Sequence, residues 1–80
     1  MRVRESTRLY RVYRNVAIQE LRELLRSSRK PAIETVEEYI RKMDRYSCNN
    51  INTSWMFSIA RDVGVEVLDE LLTKGAWNGI

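Results

Sequence analysis

The stretch SIARDVGVEVLDELLTKG, Ser58 to Gly75, decides how this 80-residue chain folds. Its first half has the spacing of a helix-turn-helix: Ala60 and Gly64 lie four apart, with Val63 before the glycine and Val65 after it. In that motif the glycine makes the turn and the following helix enters the major groove of DNA. Here the second helix would carry Glu66, Asp69 and Glu70 toward the phosphates, against the electrostatic attraction that DNA binding depends on. It also lacks the Ser, Thr, Asn, Gln and Arg side chains that reach base edges, and Glu70 falls where an apolar residue should face the partner helix. One unbroken helix from about Thr53 to Thr73 accounts for more. It keeps Met56, Ile59, Ala60, Val63, Val67 and Leu71 on one face, with Leu68 and Leu72 widening it. The Ala60–Gly64 spacing then becomes a smooth patch for close helix approach, offsetting the roughly 1 kcal/mol that glycine costs in a helix.

Two further amphipathic segments precede it. From about Ser6 to Ser28, Tyr10, Tyr13, Ala17, Leu21 and Leu24 recur at helical spacing, flanked by Leu9, Val16 and Leu25. Ser6 or Thr7 is the expected N-cap, and Pro31 should stop this helix by turning Lys30 away from helical angles. The next helix, about 32–47, holds Ile33, Val36, Ile40 and Met43 on a stripe with Tyr39 and Tyr46 beside it. It starts either at Pro31 or with Thr35 as cap and Glu38 closing a capping box. SCNNINTS forms the break, with Asn52 or Thr53 as the cap of the third helix, about 53–73, and Gly75 ends that helix. The expected fold is all-α: one domain, residues 1–80, a small bundle of three amphipathic helices, with a dimer as one alternative.

Composition narrows the function. There is no histidine, and Cys48 is the single cysteine, so an internal disulfide, a thiolate cluster and an imidazole-based triad are excluded. A zinc site would have to use carboxylates with one thiolate; none is expected, nor any catalytic or cofactor-binding residue. Cys48 has no resolving partner and reads as incidental. No apolar run approaches the roughly 18 residues of a membrane span, and the basic start MRVREST is followed by no apolar signal region. The expectation is a cytoplasmic, non-enzymatic protein.

Charge is divided unevenly along the chain. Residues 1–30 hold nine Lys and Arg against three Glu, or +6, and residues 31–80 hold five against eight acids, or −3. At about 100° per residue, Arg4, Arg8, Arg11, Arg22, Arg26 and Arg29 fall on one strip of the first helix, with Arg14 at its edge. Arginine's planar fork grips phosphate or carboxylate at two points, so the strip is a candidate surface for an anionic partner: DNA, a ribonucleoprotein or an acidic protein complex. A solvated helix face is the plainer alternative. Trp77 is a candidate partner anchor, because interfaces favour Trp, or else a staple closing the bundle end. Trp55 and Phe57 flank the third helix on opposite sides.

RKMDRYSCNN and NTSWMFSIARDVGVEVLDELL, within residues 36–72, resemble short helical proteins of uncharacterised function encoded on bacterial phages and integrative elements. The resemblance carries no site residues. It implies a setting in which tiny helical proteins regulate transcription or block a host defence machine, such as an inhibitor of the anti-CRISPR type. Three functions follow as expectations: an interaction protein docking its arginine strip on an anionic macromolecule, a regulator binding double-stranded DNA, or a dimeric structural protein with no dedicated ligand.

Overall fold

The structure is a computed structural model that describes residues 3–49 and 52–77, with only the backbone described for residues 3–7. It contains three helices, α1 (Val3–Ser27), α2 (Ala32–Asn49) and α3 (Ser54–Lys74), in the all-α arrangement the periodicity predicts. The helix-turn-helix alternative is absent: α3 runs unbroken through Gly64, and the one glycine with positive φ among the described residues is Gly75. Gly75, at φ 76°, closes α3 by donating its N–H to the Leu71 carbonyl at 3.1 Å. Thr53 occupies the N-cap position of α3 without a side-chain cap bond.

α2 and α3 form the tightest pair because Gly64 has no side chain. A Cβ at Gly64 would stand 2.7 Å from Ile40 Cγ1 and 3.4 Å from Tyr39 Cδ2, so the glycine lets α2 approach where any other residue would hold it off. Around this contact the core gathers Val36, Tyr39 and Met43 from α2 with Ala60, Val63, Val67 and Leu71 from α3. α1 contributes Ala17 and Leu21, with Ile18 and Leu25 packed beside them. Aromatic pairs brace the end of the bundle. Trp55 meets Tyr13 of α1 edge-on, with centroids 5.1 Å apart, and Phe57 meets Tyr46 of α2 at 5.2 Å. The two flanking rings of α3 thus serve one neighbour each.

The turn between α1 and α2 is fixed by a relay of hydrogen bonds. The Lys30 N–H donates to Ser28 Oγ at 3.1 Å, Ser28 Oγ lies 2.8 Å from Thr35 Oγ1, and that hydroxyl donates to the Pro31 carbonyl at 3.2 Å. Thr35 is therefore a buried residue inside α2, not its cap, and the helix begins at Ala32 immediately after Pro31.

Two expectations about α1 need correction. The helix is already formed at Val3, so Ser6 and Thr7 lie within it and do not cap it. Its buried face is also rotated from the expected one. Ala17 and Leu21 are buried, but Tyr10 and Leu24 are exposed, while Ile18 and Leu25 turn inward. The apolar arc of α1 is wider than the ridge it can cover on the α2–α3 pair, and one side of that arc is left outside.

Candidate partner-binding surface

The arginines of the first segment separate into distinct environments. Arg8, Arg11, Arg26 and Arg29 are exposed and form no ion pair among the described residues. Arg8, Arg11 and Arg26 project from α1, whereas Arg29 lies just past its end, in the turn before Pro31. Arg22 is half-buried, and the side chain of Arg4 lies outside the described residues. Arg14, at the edge of the strip, is held by α3: its Nη1 and Nη2 donate to the two carboxylate oxygens of Glu66. This two-point bond raises the Arg14 pKa further above its usual value, outweighing the opposing effect of burial. The sequence spacing could not separate Arg14 from its neighbours, because its carboxylate lies 52 residues away.

Trp77 sits half-buried against the core cluster, the position of a staple at the bundle end. Cys48 is exposed and unpaired within α2. Among the described residues, no group of three or more His, Cys, Asp or Glu side chains is placed to hold a metal ion, and no helix is long and apolar enough to cross a membrane.

The sequence reading missed a groove of about 470 Å³ between α1 and α2. Leu24 and Met43 supply apolar lining, while Glu20, Glu23, Glu38 and Lys42 supply charge. A depression of about 290 Å³ shares Glu20, Lys42 and Met43 with it and continues past Val16 toward Tyr46 and Phe57. Tyr39, also in the lining of the larger groove, is 4% exposed, and its hydroxyl is sealed from solvent with no hydrogen-bond partner among the described residues. Burial, reinforced by the negative charge of Glu20, pushes the Tyr39 pKa well above the usual phenol value and keeps the group neutral. The one signal in the sequence was the breadth of the apolar arc of α1, from which Leu24 is left exposed to line the groove and Val16 to line the depression.

The chain has no match among known protein families, curated proteins or solved structures.

Proposed function

We propose that this protein acts by binding, without catalysis, and that the arginine strip of the first segment docks on an anionic macromolecular partner. The supporting observation is the contrast among the arginines. Arg14 is tied to Glu66, whereas Arg8, Arg11, Arg26 and Arg29 stand exposed with no ion pair among the described residues. Guanidinium groups in that state keep their two-point donors available for phosphate or carboxylate. An inhibitor or adaptor acting on a host nucleic-acid-handling complex, in the manner of anti-CRISPR proteins, fits the small size and the uneven charge. A regulator that binds duplex DNA is a weaker reading, because α3 is one continuous helix carrying Asp62, Glu66, Asp69 and Glu70, with no recognition helix.

The test is fluorescence anisotropy with a labelled random-sequence DNA duplex and with labelled polyglutamate, at low and at physiological salt. Binding that weakens with salt, and that disappears when Arg8, Arg11, Arg26 and Arg29 are all changed to Ala with helicity intact, supports the proposal. No binding to either polyanion at low salt sinks it. Preference for DNA over polyglutamate identifies a nucleic-acid partner, and the reverse an acidic protein.

A further inference from the structure

Tyr39 lies against Gly64 of α3 with one ring edge and lines the α1–α2 groove, and its buried hydroxyl has no partner among the described residues. A phenylalanine would fill the same place without an unpaired O–H, so packing alone gives this hydroxyl no use. The phenol feels the negative charge of Glu20, which lines the same groove from α1.

The charges of the groove are unevenly matched. Glu38 is held by Lys30 at 2.5 Å. Glu20 and Glu23, neighbours on the exposed side of α1, form no ion pair among the described residues. Lys42, also in the lining, is turned toward Tyr46, with its Nζ 5.9 Å from the ring centroid. Lys42 is itself an ammonium on a methylene stem, so the lining already accommodates that chemistry from within the chain. Leu24 and Met43 offer apolar surface to such a stem, and the volume of about 470 Å³ is that of a small-molecule site.

We propose that the groove binds a small aliphatic amine, with its ammonium between Glu20 and Glu23 and its methylene stem on Leu24 and Met43. The ammonium replaces water around Glu20 and lets that carboxylate turn inward, where it accepts a hydrogen bond from the Tyr39 hydroxyl. Without the cation Glu20 stays in water, because burying an uncompensated carboxylate costs more than one hydrogen bond returns. The two glutamates exclude an anionic ligand. They lie to the side of the arginine strip, so this site rests on no part of the polyanion-binding proposal.

The test is titration of the full chain with diaminopentane at neutral pH and low salt, followed by NMR, with pentanediol as the uncharged isostere. Saturable shifts at residues of the groove are expected from the amine and none from the diol. Glu20→Gln should weaken binding about tenfold, and Lys42→Met should strengthen it by removing the internal competitor. Tyr39→Phe should weaken binding about fivefold although the folded chain becomes more stable. Asp69→Asn, a charge change on the exposed side of α3, should leave the affinity unchanged. No saturation by tens of millimolar amine overturns the proposal, as does equal binding of the diol. So does an affinity insensitive to Tyr39→Phe, or one weakened as much by Asp69→Asn as by Glu20→Gln. Binding of a lysine-rich peptide without binding of diaminopentane also overturns it, and would assign the groove to a protein partner.

Discussion

Gly64 of α3 and Ile40 of α2 are in contact so close that a Cβ on Gly64 would stand 2.7 Å from Ile40 Cγ1. Ile40 is β-branched and half-buried against the core, so the atom that must yield is a branch carbon with restricted χ1 freedom, not the end of a flexible chain. Alanine at position 64 gains about 1 kcal/mol in helix propensity, but overpacking costs about 1–3 kcal/mol. Gly64→Ala should therefore lose about 1 kcal/mol, lowering the Tm by about 4–8 °C for a domain of this size. In an Ile40→Ala background the same change should become stabilising, as thermal or urea denaturation would show. A stabilising Gly64→Ala in the parent chain would mean that α2 approaches less closely than described.

This contact also shows what the sequence made legible. Two helix boundaries followed from local chemistry, Pro31 before α2 and Gly75 in left-handed geometry after α3, whereas the start of α1 at Val3 did not. The Ala60–Gly64 spacing pointed to a smooth patch within a continuous helix. The rotation of α1 did not follow, because Tyr10 and Leu24 on one side of its apolar arc and Ile18 and Leu25 on the other have equal claims to burial. Only the shape of the α2–α3 pair chooses between them. The environment of Arg14 was hidden for a related reason: helical spacing places it on α1, but its tie to Glu66 exists only in three dimensions.

The hydroxyl of Tyr39 is buried without a partner among the described residues, which makes it a cost to folding. Tyr39→Phe should stabilise the chain by about 1 kcal/mol at neutral pH, if the ring keeps its place against Gly64. The pH dependence has a definite sign. The folded-state pKa is raised, so the unfolded chain releases the phenolic proton first as pH rises. The Tyr39 contribution is complete below about pH 10, the unfolded value, and is lost above it at up to about 1.4 kcal/mol per pH unit. Urea denaturation from pH 8 to pH 11 should thus show the advantage of Tyr39→Phe growing above about pH 10. A constant difference across that range would mean that the hydroxyl reaches solvent.

The Arg14–Glu66 pair joins α1 to α3 at the surface, with side chains 33 and 54% exposed. Water screens such a pair, so its coupling should be below about 1 kcal/mol despite the two-point geometry. A double-mutant cycle with Arg14→Gln and Glu66→Gln measures it directly, and the coupling should shrink as salt is raised. A coupling above about 2 kcal/mol would indicate that the pair is far better shielded than its exposure implies.

The same pair makes Arg14 the internal control for polyanion binding. Each phosphate neutralised on duplex DNA adds about −0.9 to the slope of log K against log salt, so four arginines acting together predict a slope of about −3 to −4. Arg11→Gln removes an exposed cation with no ion pair among the described residues and should reduce the magnitude of that slope by about 1. Arg14→Gln should change it much less, because Glu66 already compensates that charge in the free protein and must be displaced before a phosphate can take its place. Equal effects from Arg11 and Arg14 would show that binding responds to the overall charge of α1. Unequal effects in the expected order would place the contact on the exposed strip itself.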